Sequence, residues 1–303
     1  MSMSAAGRDW DGRLLRSLLF VPGSDAHKLG RVASFGADAI VIDLEDAVAS
    51  GQKRAARALA HESIPACGRG GAAVIVRVNG IETGEMEADI AGVVRPELSG
   101  VIVPKLESIQ TLRAVDEALA QAEREQGMPV GELRMLALIE TAKGIVECER
   151  ILEAAPRRTH TAIFGTADFS TELGVELTRH ASELSYARSR LVVATRAAQM
   201  ATPVDGPWLD LEDAEGLAED CRRSRNLGFG GRVTIHPSQV GPVHDAYSAL
   251  SQAEVKRAAR VVAAFEEAQA RGVASIRVDG QFVDYPIYRR AREQLRLAAA
   301  ISD

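Results

Sequence analysis

The run Ala73–Val78, AVIVRV, continued by Asn79 and Gly80, decides how the rest of the chain is read. It is short, rich in β-branched residues and nearly free of polar interruption, which is the pattern of a strand buried on both faces. A charged residue, Arg77, stands near its end. A longer segment with helical spacing follows, and strand then helix is the unit of a parallel sheet.

Seven further runs of the same kind flank it: Ser17–Pro22, Ala39–Leu44, Gly100–Pro104, Arg134–Ile139, Thr161–Phe164, a weak one at Ala201–Val204, and Arg232–Ile235. Their starts recur at roughly 31 residues, the length of a strand, a helix and two loops. Eight such units predict an α/β fold with a closed parallel barrel. The intervening segments agree, since Val115, Leu119 and Ala122 form one apolar face in a stretch otherwise filled with Glu, Gln and Arg. An open doubly wound sheet is the competing architecture, but the chain has neither a GxGxxG fingerprint nor a GxxxxGK[ST] loop. After His236 the pattern changes. A helical stretch from Gln252 to Arg271, an extended segment from Ser275 to Tyr285 and a basic helix from Pro286 onward exceed what a barrel needs. The expected division is a barrel over 1–245 and a C-terminal helical extension over 246–303.

The chain has 303 residues, 46% hydrophobic and 26% charged, a balance that excludes disordered, collagen-like and coiled-coil classes. Lys plus Arg number 36 against 42 Asp plus Glu, a formal charge of −6. No general basic field exists for nucleic acid or an anionic membrane, so an anionic ligand must meet a local basic site. Cys67, Cys148 and Cys221 are widely spaced with no CxxC, which argues against a disulfide framework or a cysteine-rich zinc site. No run reaches membrane-spanning length, and Asp9 and Asp11 stand where a signal peptide would be basic and then apolar. A cytoplasmic protein is the expectation.

Barrel enzymes place their chemistry at the C-terminal ends of the strands. The polar residues there are Asp43, Glu45 and Asp46 after strand two, Arg77 and Asn79 after three, Lys105 after four, Glu140 after five, Asp168 after six, Asp205 at seven and His236 after eight. Glu140 and Asp168 come from adjacent strands and form a candidate pair of ligands for a hard divalent cation, Mg²⁺ fitting best. The bland alternative is a helix cap or a pairing with Lys143. Arg77 presents a planar fork suited to a carboxylate, or else pairs with Glu45 or Asp46. Those two acids are candidates to support the metal's waters, and Asp46 is equally a possible helix N-cap. His236 reads as structural, and no HExxH or nucleophile elbow is present.

The strings RSLLFVPG from Arg16, DLEDAV from Asp43, VRVNG from Val76, VPKLES from Val103, LIETAKG from Leu138, GTADF from Gly165 and IHPSQV from Ile235 together resemble the citrate lyase beta subunit-like group of the HpcH/HpaI aldolase superfamily. The resemblance covers nearly the whole chain. It implies a TIM barrel, Arg77 on the carboxylate of an oxo acid, and Mg²⁺ on Glu140 and Asp168. It also implies that Asp284, in DGQFVDYP, is the aspartate that enters a neighbouring subunit's site in a homotrimer or related homo-oligomer. The implied reaction is Mg²⁺-dependent cleavage or formation of a 3-hydroxyacyl-CoA, such as malyl-, citramalyl- or citryl-CoA, with an oxo acid and an acyl-CoA as the other side. Arg16 and Lys28 are the candidates for the CoA phosphates. The alternatives are a beta subunit working inside an acyl-carrier complex, or a pyruvate-enolate aldolase acting on 4-hydroxy-2-oxo acids. Two departures stand out: Ala167 where many relatives have Glu, and ATPVDGPW at 201–208 where an Ala-Pro-Ile-Asp-Gly-like string is usual. The second bears on substrate identity.

Overall fold

A computed structural model describes residue 10, residues 13–248 and residues 252–302. Eight parallel strands close into a barrel in sequence order. They are β1 (Ser17–Pro22), β2 (Ala39–Asp43), β3 (Ala73–Arg77), β4 (Gly100–Val103), β5 (Arg134–Ile139), β6 (Thr159–Phe164), β7 (Val204–Asp205) and β8 (Gly231–Thr234), with β8 pairing back onto β1. The helices of this unit are α1 (Ala26–Arg31), α2 (Lys53–Cys67), α3 (Met86–Val93), α4 (Ile109–Glu125), α5 (Ala142–Glu153), α6 (Thr166–Leu173), α7 (Ser185–Ala197), α8 (Ala214–Leu227) and α9 (Val240–Ser248). The expected barrel is therefore the observed one. The weak seventh strand is shorter than its run and displaced toward its C-terminal end.

Alternation along each strand sorts side chains into two shells. Leu18, Ala39, Val41, Ala73, Ile75, Ile102, Leu136, Leu138, Ile163, Val204 and Val233 fill the barrel interior. Ile40, Ile42, Val74, Val76, Val101, Val103, Met135 and Ala137 point the other way and pack under the helices. The buried face of α4 is Leu112, Val115, Leu119 and Ala122, as its spacing predicts. Short β7 is held by charge as well as by its ladder. Asp205 and Asp220 of α8 share Arg188 of α7 and Arg232 of β8, all four side chains buried. Arg188 Nη2 lies 3.0 Å from Asp205 and 2.7 Å from Asp220. Arg232 Nη2 donates to Asp205 at 2.7 Å and also to Asp220. No described helix is long and apolar enough to cross a membrane. The three cysteines are buried free thiols.

The chain divides into two compact units at residue 248. In the second, α10 (Gln252–Ala270) packs on α11 (Tyr285–Ser302), and β9 (Ile276–Val278) pairs antiparallel with β10 (Gln281–Val283). Phe265 stacks on Tyr288 and meets Tyr285 edge-on, within a small core that includes Ala258, Val261, Val283 and Ala291. The segment read as extended is thus a hairpin turning at Asp279 and Gly280.

Replacing Arg232 by Met removes one of the two cations that Asp205 and Asp220 share. Breaking a buried pair on one side costs about 3–5 kcal/mol, so urea unfolding of R232M should show a loss of that order.

Candidate active site

The pleat that fills the barrel also aims its polar ends. On β2 the inward series Ala39, Val41 continues to Asp43, and on β3 Ala73, Ile75 continues to Arg77, with Asp43 and Arg77 in register. On β5 the series Leu136, Leu138 continues past the strand end to Glu140. All three therefore stand at the C-terminal mouth of the barrel, buried.

Arg77 donates from Nε and Nη2 to the two carboxylate oxygens of Asp43 at 2.7 and 2.6 Å. Its Nη1 lies 2.9 Å from Glu45 Oε2 and 3.7 Å from Asp46 Oδ2. The guanidinium sits over the Phe20 ring, 5.4 Å from its centroid. The fork expected to grip substrate is thus already held by Asp43 on its Nε–Nη2 edge and by Glu45 at Nη1. Asp43 is fixed in turn by the backbone N–H groups of Glu45 and Ala47. Burial opposes the Arg77 charge, but Asp43, Glu45 and Glu140 raise its pKa above the ordinary value.

Lys105 is the residue whose importance the strand-end survey understated. It adopts a left-handed backbone, φ 46°, which turns the chain after β4 and aims its N–H at Glu140 Oε1, 2.8 Å away. Its ammonium bridges Glu45 at 2.9 Å and Asp46 at 3.5 Å. Burial pushes the Glu45 carboxyl up, while Arg77 and Lys105 hold it down. Glu140 is pushed up to about 9, by burial first, against the Lys105 N–H, and further by the carboxylates of Asp168 and Glu45. Gly165 permits this crowding, because a Cβ there would lie 2.2 Å from Glu140 Cβ. Asp168 follows in the first turn of α6, half-buried.

Other expected residues fall elsewhere. Arg16 precedes β1, at the opposite rim of the barrel, where Nε and Nη2 donate to Asp38 at 2.9 and 2.8 Å. That is a correction: a residue before a strand lies a barrel's depth from the strand C-termini, and its guanidinium is committed. Lys28 lies on α1, after β1 and thus on the active rim, exposed and 3.3 Å from Asp25. Asp46 is 52% exposed, and no helix begins immediately after it, so the N-cap alternative falls away. His236 accepts the Ser238 N–H as the cap of a short turn. Asp284 caps α11, accepting the Ile287 N–H at 3.3 Å. Lys143 pairs with Glu107, leaving Glu140 and Asp168 to each other.

A buried carboxyl group facing a second one, beside an arginine and a lysine at a barrel mouth, has the chemistry to take a cation and an anion together. The family profile of HpcH/HpaI aldolase/citrate lyase matches residues 16–237. The chain belongs to that family. As a member it is an enzyme of the carbon–carbon lyase class. Citrate lyase subunit beta of Leuconostoc mesenteroides subsp. cremoris is 35% identical over 95% of this chain and 94% of its own. A (3S)-malyl-CoA thioesterase of Cereibacter sphaeroides is likewise 35% identical, over 95% of both chains. Among solved structures, CitE of Mycobacterium tuberculosis in complex with magnesium, acetoacetate and coenzyme A superposes with a TM-score of 0.77 at 28% identity. It covers 94% of this chain and 98% of its own.

Substituting Lys105 by Met removes one of the two cations that lower the Glu45 pKa against its burial. Its carboxyl should then titrate higher than in the wild type, by about one pH unit, as read by carboxyl ¹³C NMR. An unchanged titration would mean that Arg77 alone sets it.

Proposed function

We propose that the protein is a Mg²⁺-dependent lyase that cleaves, or forms, a 3-hydroxyacyl-CoA with an oxo acid and an acyl-CoA as the other side. The observation that carries this is the Glu140–Asp168 carboxylate pair standing beside Arg77 and Lys105 at one rim. Among the described residues no cluster of three or more His, Cys, Asp or Glu is arranged to hold a metal on protein ligands alone. Two carboxylates with the remaining positions left to water and substrate oxygens is the habit of Mg²⁺, and the Glu140 carboxyl, strained by its neighbours, is a fitting donor. When bound, Mg²⁺ supplies Lewis-acid polarisation of the oxo-acid oxygens.

The protein's own groups do the rest. Arg77 anchors the oxo-acid carboxylate from its Nη1 side, in exchange for its contact with Glu45, and the Asp43 grip keeps the guanidinium oriented. Glu45 and Asp46 support the metal's water ligands. In cleavage the carbinol proton is lost to solvent, the bond between the carbinol carbon and the acyl α-carbon breaks, and its electron pair passes to the thioester as an enolate. Asp284, reaching the site from a neighbouring copy in a homotrimer or larger homo-oligomer, returns a proton to that α-carbon. Lys28 meets the CoA phosphates. The second reading is a beta subunit working on an acyl-carrier thioester, favoured by the 35% identity to a citrate lyase subunit beta.

Purified protein should release an oxo acid, trapped as its hydrazone, from malyl-, citramalyl- or citryl-CoA with Mg²⁺ and not with chelator. Asp284→Asn should lower turnover by about 10²–10⁴-fold while Mg²⁺ binding, measured by calorimetry, is unchanged. Glu140→Gln should weaken that binding itself. Release from an acyl-carrier thioester only favours the second reading, and metal-independent release overturns both.

A further inference from the structure

Cleavage of a 3-hydroxyacyl thioester must take a proton from the carbinol oxygen, and the groups of the mouth are not equally free to accept one. Asp43 spends both oxygens on Arg77 and on the backbone N–H groups of Glu45 and Ala47. The Lys105 ammonium, which burial works against and Glu45, Asp46 and Glu140 hold protonated, has no lone pair to offer. Glu140 and Asp168 are the candidate metal ligands, and Asp284 serves the acyl carbon. Asp46 is 52% exposed and open to water.

Glu45 differs from all of these. Its side chain is 5% exposed, its Oε1 accepts from Lys105 Nζ at 2.9 Å, and its Oε2 is buried with no hydrogen-bond partner. Arg77 Nη1 stands 2.9 Å from Oε2 without forming a hydrogen bond to it. A buried acceptor left without a donor is costly, and it calls for a group that completes it.

Arg77 Nη1 is also where the oxo-acid carboxylate is received in exchange for Glu45. That exchange leaves Oε1 tethered to Lys105 and parts Oε2 from the guanidinium that covers it. The carbinol carbon is bonded directly to the incoming carboxylate, so its hydroxyl arrives beside the oxygen just uncovered. Burial already pushes the Glu45 carboxyl up, and with Arg77 given over to the substrate Lys105 is left to hold it down. The event that seats the acid thus also strengthens the base.

We infer that Glu45 is the general base for the carbinol oxygen, uncovered when the oxo-acid carboxylate arrives on Arg77. The inference rests on the lyase reading. In cleavage Glu45 Oε2 takes the carbinol proton, and the O–H electron pair becomes the second bond of the new carbonyl. The bond to the acyl α-carbon breaks, its electrons pass to the thioester as an enolate, and Asp284 protonates that carbon. The neutral Glu45 acid then gives its proton up to solvent past Asp46 and Lys105, both partly exposed. In the forming direction the same oxygen delivers a proton to the new alkoxide.

Glu45→Gln keeps the size and a carbonyl oxygen for Lys105 but cannot take a proton. With Mg²⁺ and malyl-, citramalyl- or citryl-CoA it should lower kcat by about 10²–10⁴-fold, with KM moving far less. It should also remove the acid limb of the kcat–pH profile, while Arg77, Lys105, Asp46 and Glu140, the charged groups that face Glu45, are all retained. Glu45→Ala should be as slow and recover about tenfold with added formate, a rescue that a structural role does not give. Independently of turnover, pyruvate on the Mg²⁺-loaded protein should move the Glu45 carboxyl titration, read by ¹³C NMR, up by about one pH unit. Undiminished release by Glu45→Gln, a retained acid limb, no rescue by formate, or a titration that pyruvate leaves unchanged overturns the inference and leaves the lyase reading standing. No release by the unaltered protein from any of the three thioesters overturns the lyase reading and this inference with it.

Discussion

The pairing of Asp43 with Arg77 is the interaction on which the active rim depends. Both residues end an inward-facing series, and parallel register puts them side by side. Once Arg77 is neutralised on one edge, a guanidinium can be buried at all, since an unpaired charge in that position would cost far more than the pairing returns. Glu45 then approaches the remaining edge, and Lys105 approaches Glu45. Each ion is tolerated because the previous one is already there. The chain of contacts runs from β2 to β3 to the turn after β4 and, through the Lys105 N–H, to Glu140 after β5.

A second ionic cluster performs a different task. Asp205, Asp220, Arg188 and Arg232 lie between the barrel wall and the helices α7 and α8, and β7 is only two residues long. A strand so short has few ladder hydrogen bonds to fix it. Directional charge pairs supply the registration that the ladder lacks, and they tie β7 to α7, α8 and β8.

What could be read in the sequence follows from period. The eight runs, the α4 face and the rim residues Arg77, Glu140 and Asp168 obey either strand alternation or helical spacing, and both are local. The hairpin at Asp279–Gly280 carried a local signal too, an Asp-Gly pair between short apolar runs, that an extended reading passed over. Arg16 was misplaced by treating nearness to β1 as nearness to its C-terminal end, although a barrel separates the two ends by the strand's length. Lys105 and the Arg188–Arg232 cluster were beyond local reading for another reason. Their importance lies in partners 60 and 12 to 32 residues away, which only the closed barrel brings together.

The balance of groups at the rim bears on what it could receive. Asp43, Glu45, Asp46, Glu140 and Asp168 stand against Arg77 and Lys105, so carboxyl groups outnumber cations at the mouth. On the proposed lyase reading an oxo acid is itself an anion, and Arg77 already faces Asp43 and Glu45. Glu140 and Asp168 would hold the proposed divalent cation, which would offset that excess and leave positions for the acid's oxygens. A site built mainly of acids could in this way serve an acidic substrate, with the paired carboxylates and the paired arginine acting as one device.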